Sequence, residues 1–253
     1  ARPVFLKTEE FDGFRLDRDR LEKAVTSRTR VVLVASPANP SGHGYPREDL
    51  EFIGNLAREN DFYLVSDEIY EKLIYDDFDQ VSVASLSPES KERTVIVNGV
   101  SKTYAMTGWR VGYLAAPVPV AKSVSSFQSH TTSNPATISQ YAALAALTGD
   151  QVCVETMRSA FRKRRDLMVD RLNAMNGVTC SRPVGTFYTF PNISGLGKGS
   201  IELAADLLEK ARIAVVPGIA FGRDENIRMA FADSEENLNR GLDRLEEYIS
   251  ELQ

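Results

Sequence analysis

The stretch "RVVLVASPANPSG", residues 30–42, joins an apolar run to a loop that contains two prolines and a glycine. The run at residues 31–34 predicts a β-strand, because short apolar runs bounded by turn residues are typical of buried strands. A helix is expected next, since Pro46 suits a first helical turn and apolar residues recur at helical spacing from Leu50 to Ala57. Strand, loop and helix in this order predict that a second, parallel strand follows.

The same plan continues along the first half of the chain. "DFYLVSDEIY", residues 61–70, contains a second apolar run about 30 residues after the first, which is the usual size of a strand–helix–strand unit. "RTVIVNGVSK", residues 93–102, and "RVGYLAAP", residues 110–117, contain a third and a fourth run. Strands this apolar, alternating with helices, predict burial on both faces and an α/β fold with a mainly parallel sheet and flanking helices.

Polar residues follow the first three runs, at the edge of the sheet where α/β proteins bind their ligands. They are Asn39, then Asp67 with Tyr70, then Ser101 with Lys102. Taken alone, Lys102 is either an ordinary surface cation or a nucleophile held inside a site. If the strands are parallel, an amide, a carboxylate, a phenol and an amine point toward one edge of the sheet.

This set of groups matches the needs of pyridoxal phosphate. The aldehyde of this cofactor forms a Schiff base with a lysine amine, and its ring nitrogen stays protonated when a buried carboxylate pairs with it. Its ring oxygen accepts hydrogen bonds from an amide or a phenol. Its phosphate needs hydroxyls and an arginine, which Ser101 and Arg110 offer on either side of Lys102.

Four motifs are similar to those of the class I/II, fold-type I pyridoxal-phosphate aminotransferases, a family that includes the aspartate aminotransferases. "SPANPSG" resembles the Asn-Pro-x-Gly turn of that family, "SDEIY" its Asp-Glu-x-Tyr motif and "SKTYAMTGWRVGY" its cofactor-lysine motif. "NIRMAFA", residues 226–232, is similar to the segment that binds the substrate carboxylate. The resemblance implies that the chain lacks an N-terminal portion, which in the family supplies the rest of the small domain and a Gly/Ser-rich phosphate loop.

The resemblance also implies a role for each matching residue. Three would be catalytic: Lys102 as the Schiff-base lysine, Asp67 on the pyridine nitrogen and Tyr70 on the ring oxygen. The others would be ligands: Asn39 for the ring oxygen and the substrate, Ser101 and Arg110 for the phosphate, and Arg228 for the substrate α-carboxylate.

The implied activity is a transferase reaction. An amino group would move from an L-amino acid to a 2-oxo acid through the Schiff base on Lys102, in a homodimer with shared active sites. The segment "SHTTSNPAT", residues 129–137, is of the type that reaches the phosphate of the neighbouring subunit. Two alternatives stay open: a pyridoxal-phosphate carbon–sulfur lyase of the same fold, and a non-catalytic or truncated module that keeps the fold.

The second half of the chain has a different pattern. Residues 150–175 predict a long helix that leads into a second domain. The last helix is expected to begin near Asp233, which has capping-box spacing with Glu236. We therefore predict two domains: residues 1–148, the C-terminal part of a large cofactor-binding domain, and residues 149–253, a smaller α+β domain.

Composition narrows the classes of partner. A formal net charge of −5 disfavours nucleic acid and anionic membrane surfaces, and no apolar stretch approaches the roughly 20 residues of a membrane helix. Two cysteines and two histidines match neither a metal spacing nor a disulfide framework, which favours a reducing compartment. The sequence thus predicts a cytoplasmic protein that acts on small molecules, with no metal, nucleic acid or membrane partner.

Overall fold

The structure, a computed structural model, describes residues 1–252 and divides the chain into two compact units. The first unit consists of Ala1–Thr8, Arg15–Pro37 and Gly44–Thr156, and the second of Glu9–Phe14, Ala38–His43 and the chain from Met157 onward. The predicted domain boundary at residue 148 stays a prediction. Residue 253, the last of the predicted second domain, lies outside the described residues.

The first unit contains a four-stranded sheet in the order β1-β2-β3-β4. Its strands are β1 Val31–Ala35, β2 Tyr63–Asp67, β3 Thr94–Gly99 and β4 Gly112–Ala115. The first three are parallel to one another and β4 is antiparallel to β3, which confirms the predicted mainly parallel α/β sheet. The β4 direction follows from its short connection, which holds one 3-10 turn instead of the crossover helix that parallel strands require.

The first unit also contains helices. They are α1 Arg18–Ala24, α2 Arg47–Glu59, α3 Pro88–Arg93, α4 Val118–Thr131 and α5 Thr137–Thr148. In α2, Pro46 is the N-cap residue, one position before the predicted helical turn. A further helix, α6 Val152–Ala174, includes the boundary between the two units at Thr156 and confirms the predicted long helix.

The core of the first unit lies on one face of the sheet. Val34 and Leu64 pack there with Leu50 and Ile53 of α2, and all four are buried. Side chains alternate along each strand, so Leu33 points to the opposite face, where it is 69% exposed. The prediction that both faces of the sheet are buried is therefore wrong for the described chain. Apolar strands indicate that a sheet face can be buried, but they do not indicate which segment of the chain covers it.

Because side chains alternate between the two faces of the sheet, the same leucine-to-alanine substitution should affect stability differently at two positions. We expect Leu64→Ala to lower the free energy of unfolding by about 2–5 kcal/mol, because it empties a fully buried position. Leu33→Ala, in the neighbouring strand, is the matched control and should change it by less than about 0.5 kcal/mol. Urea titration measures both values, and equal losses would contradict the assignment of the two faces.

The second unit contains a three-stranded antiparallel sheet in the order β5-β7-β6, together with helices. Its strands are β5 Tyr188–Thr189, β6 Val216–Pro217 and β7 Ile227–Ala230, and its helices after α6 are α7 Ser200–Asp206 and α8 Glu235–Glu251. A π-helical turn, Leu207–Ala211, extends α7. An antiparallel sheet with helices confirms the predicted α+β character of this part.

The start of α8 differs from the prediction by one residue. Ser234, not Asp233, is the N-cap, and its hydroxyl oxygen accepts from the Asn237 N–H at 3.1 Å. The Asp233 carboxylate instead accepts from the Ser234 N–H and from the Asn237 side-chain amide. Serine and aspartate are about equally good N-cap residues. The three-residue spacing from Asp233 to Glu236 was therefore not enough to choose Asp233 over the adjacent Ser234.

Among residues 1–252 no helix is both long and apolar enough to cross a membrane.

Candidate active site

Asp67 is the last residue of β2 and the carboxylate of the candidate site. It pairs with Ala35 of β1 and Val97 of β3, so it lies at the carboxyl ends of three adjacent parallel strands. One carboxylate oxygen accepts from the Ile69 N–H at 3.2 Å. This bond to the backbone two residues on holds the half-buried side chain at the strand end.

Tyr70 and Lys102 lie at the same edge of the sheet. Tyr70 is buried in the turn after β2, where its carbonyl oxygen accepts from the Leu73 N–H at 2.8 Å. Lys102 is half-buried in the turn after β3, where its carbonyl oxygen accepts from the Ala105 N–H at 3.3 Å. The ammonium nitrogen of Lys102 is 6.0 Å from the centroid of the Tyr70 ring. The first unit thus brings an amine and a phenol together next to the strand that carries Asp67.

Ser101 and Arg110 bracket Lys102 in the chain. Ser101 is half-buried, directly before the lysine. Arg110 is exposed, with a positive φ of 55°, and its guanidinium donates to the Thr107 carbonyl oxygen at 3.0 Å. Their assignment as phosphate ligands stays a prediction.

Glu68, next to Asp67, is a buried carboxyl that was not predicted as a site residue from the sequence. Glu68 accepts from the hydroxyls of Ser66 and Ser82 at 2.8 and 2.7 Å, which ties the end of β2 to the segment around residue 82. Burial raises the pKa of the Glu68 carboxyl, the two hydroxyls oppose this, and the charges of Glu71 and Asp67 add to it. No pattern in the sequence indicates which of two adjacent acids faces the core.

The second unit contains the other predicted ligands, Asn39 and Arg228. Asn39 lies in the loop Ala38–His43, which two backbone bonds of 2.7 Å close, from Ala38 N–H to His43 and from Gly42 N–H to Ala38. Arg228 lies on β7, and its guanidinium donates to the Asn39 side-chain oxygen at 2.9 Å. The amide N–H₂ of Asn39 is the donor end of the same side chain. The predicted pair of substrate ligands is therefore joined directly.

Two aromatic rings flank this arginine. The guanidinium carbon of Arg228 is 4.4 Å from the centroid of Tyr188 and 5.1 Å from that of Phe221. Cation–π attraction and the bond to Asn39 together fix the plane of the guanidinium, which leaves a rigid fork suited to a carboxylate. No local sequence pattern marks either ring. The Tyr188 contact depends on strand register, which places Tyr188 opposite Ala230 and diagonal to Arg228.

The first unit has an amine, a carboxylate and a phenol at one sheet edge. The second unit has an oriented arginine. Within residues 1–252 no group of three or more histidine, cysteine or acidic side chains is placed to hold a metal ion.

Comparison with known proteins gives one consistent family. The model of the family described as aminotransferase class I and II matches residues 1–245. An aspartate aminotransferase of Geobacillus stearothermophilus is 43% identical over 252 residues, which cover 98% of this chain and 64% of that protein. The aspartate aminotransferase of Bacillus subtilis (strain 168) is 39% identical over 254 residues, which cover 98% of this chain and 65% of that protein.

Solved structures of aminotransferases also match this chain. The aromatic aminotransferase of Pyrococcus horikoshii OT3 matches with a TM-score of 0.94 and 42% identity, over 99% of this chain and 68% of that one. The aspartate aminotransferase of Rhizobium meliloti matches with a TM-score of 0.93 and 41% identity, over 98% of this chain and 65% of that one. The chain spans slightly less than two thirds of the length of the curated relatives named above.

Proposed function

The chain belongs to the class I and II aminotransferases, which depend on pyridoxal phosphate, and we propose on this basis that the protein is itself an aminotransferase. Its reaction moves an amino group from an L-amino acid to a 2-oxo acid, with Lys102 as the residue that binds the cofactor covalently. One observation carries this proposal: Lys102 and Tyr70 lie close together at the edge of the sheet where Asp67 ends its strand.

The residues present fit the cofactor. A half-buried amine, a buried phenol and a carboxylate at a strand end are the donor set that an aldehyde, a ring oxygen and a pyridine nitrogen require. When bound, pyridoxal phosphate supplies an electron sink for the negative charge that develops at the substrate α-carbon. We assign Lys102 to the aldehyde, Asp67 to the ring nitrogen and Tyr70 to the ring oxygen. We assign the N–H₂ of Asn39 to the ring oxygen as well, since the side-chain oxygen of Asn39 already accepts from Arg228 and the N–H₂ is the donor that remains.

The phosphate is assigned to the two residues that bracket Lys102. Ser101 offers a hydroxyl and Arg110 a guanidinium, and both groups donate hydrogen bonds to phosphate oxygens. We further propose that residues 1–148 form part of the cofactor-binding domain and residues 149–253 the small domain.

Each side chain has a separate task in amino transfer. The Arg228 fork binds the substrate α-carboxylate and so orients the α-carbon. The Nζ atom of Lys102 takes the proton from that α-carbon and later returns a proton, which is general acid–base work. Asp67 would pair with the pyridine nitrogen of the bound cofactor and favour its protonated form.

We also propose a cytoplasmic homodimer that shares its active sites. Residues 129–137, which run from the last turn of α4 to the first residue of α5, are largely exposed in the first unit and so accessible to a second subunit. The two cysteines are free, Cys153 exposed and Cys180 buried, which supports a reducing compartment.

The proposal is tested by the fate of the amino group. The protein that contains this chain is given pyridoxal phosphate, 2-oxoglutarate and a panel of L-amino acids headed by aspartate and the aromatic amino acids, which the names of similar proteins suggest. We expect formation of glutamate together with the 2-oxo acid of the donor. Release of ammonia and pyruvate from a sulfur amino acid, without glutamate, would instead identify a carbon–sulfur lyase. Cofactor binding with neither product would identify a non-catalytic module.

A further inference from the structure

Arg165 is a buried cation in the second unit, on the part of α6 that follows Thr156. Only 1% of its surface is exposed. A buried guanidinium is costly unless its N–H groups are bonded and its charge is balanced. Two of its nitrogens donate to the Asp166 carboxylate at 2.9 and 2.7 Å, and a third donates to the Pro183 carbonyl oxygen at 3.0 Å. The balanced guanidinium thus holds the backbone at residue 183.

The segment held by Arg165 in turn holds the loop Ala38–His43. The Val184 and Gly185 N–H groups both donate to the Gly42 carbonyl oxygen, at 3.0 and 3.1 Å. The approach is close, because a Cβ atom on Gly42 would lie 2.3 Å from the Pro183 Cβ. Gly42 also has a φ of +67°, in the left-handed region that glycine adopts without strain.

The same loop carries the partner of the carboxylate-binding arginine. Its closing bond, from the Gly42 N–H to the Ala38 carbonyl, fixes the position of the intervening Asn39. Asn39 then accepts from Arg228 at 2.9 Å. A continuous series of hydrogen bonds and one short loop therefore leads from Arg165 to Arg228, entirely within the second unit.

We propose that Arg165 is a positioning residue for substrate carboxylate binding. It acts through residues 183–185 and the loop Ala38–His43 on the pair Asn39 and Arg228. This inference rests on the proposed function, since it takes Arg228 as the carboxylate ligand.

Packing alone does not account for a guanidinium at this position. Phe161, one turn earlier on α6, already fills the neighbouring space against Phe187 and Phe231, with ring centroids 5.7 and 6.2 Å apart. Buried ion pairs can often be replaced by apolar side chains of similar size without loss of stability. The bond from Arg165 to the Pro183 carbonyl is a contact that an apolar side chain cannot make.

The test separates binding from folding. In Arg165→Lys and Arg165→Met, we expect KM for the amino donor to rise about tenfold, the cost of weakening one charge-assisted hydrogen bond. We expect kcat to fall by less than about threefold. A merely structural role would reduce the amount of folded protein, and so kcat per total protein, but would leave KM of the folded fraction unchanged.

Arg171→Lys is the matched control on the same helix, since Arg171 pairs with Asp243 and Glu246. Its KM should stay at the starting value.

If the protein shows no amino transfer, carboxylate binding can still be measured directly. Calorimetric titration of the holoprotein with 2-oxoglutarate should give a Kd about tenfold weaker for Arg165→Lys than for the unaltered protein and Arg171→Lys. If the Arg165 variants do not fold, Asp166→Asn takes their place, because this side chain is 39% exposed and still anchors Arg165. Equal values for these variants and the Arg171 control would overturn the positioning role while leaving the proposed function intact. Carboxylate binding without amino transfer in the unaltered protein would overturn the proposed function alone.

Discussion

Lys102→Ala should abolish amino transfer and covalent attachment of the cofactor together. We expect kcat to fall by about 10⁴-fold, the upper end of what one general acid–base group contributes, because Lys102 is the residue assigned both to covalent attachment and to proton transfer. The backbone turn should survive the change. Its bonds from Tyr104 N–H to Val100 and from Ala105 N–H to Lys102 use backbone atoms only, and Val100 and Thr103 stay buried.

Two measurements check this result. Initial rates of glutamate formation give kcat, and borohydride reduction followed by peptide mass mapping shows whether the cofactor is attached at residue 102. Lys122→Ala is the matched control, an exposed lysine on α4 of the same unit, and should keep both signals. Lys102→Arg keeps the positive charge and should lose both. Attachment at another lysine in the unaltered protein would reject the assignment.

The residues that lie together at the sheet edge could be predicted from the sequence, because their placement depends on the spacing of consecutive strands along the chain. Apolar runs about 30 residues apart predict parallel strands, and parallel strands bring the residues after them to one edge. The placement of Asp67, Tyr70 and Lys102 follows from that rule alone. The family motifs added the roles of these residues but were not needed for their proximity.

Features that depend on side-chain partners far apart in the chain could not be anticipated. Helix α4 was not predicted, and none of its residues is buried in the described chain. The antiparallel β4 is as apolar as its parallel neighbours, and only the length of its connection distinguishes it. The rings around Arg228 and the buried Arg165 depend on register and on loop docking, neither of which leaves a local pattern.

Arg228→Lys should lose most of the affinity for the substrate carboxylate. A lysine keeps the charge but has no planar fork, so it cannot bond Asn39 and both carboxylate oxygens while lying against Tyr188 and Phe221. Loss of two charge-assisted hydrogen bonds at about 1.5–3 kcal/mol each corresponds to a fall in kcat/KM of about 10²–10⁴-fold. Steady-state kinetics with the best amino donor measures this value.

Two further variants locate the effect. Asn39→Ala leaves the Arg228 guanidinium in place but removes the bond that orients it and the N–H₂ donor assigned to the ring oxygen, so kcat/KM should fall by about 10–100-fold, less than for Arg228→Lys. Arg223→Lys is the matched control, a half-buried arginine of the same unit that pairs with Glu9 and Glu225, and its kcat/KM should be unchanged. The inhibition constant of a simple dicarboxylate should rise in the same order, since its carboxylate uses the same fork. If Arg228→Lys and Arg223→Lys have equal kinetics, another group binds the carboxylate, and the bond between Asn39 and Arg228 serves only the folding of the second unit.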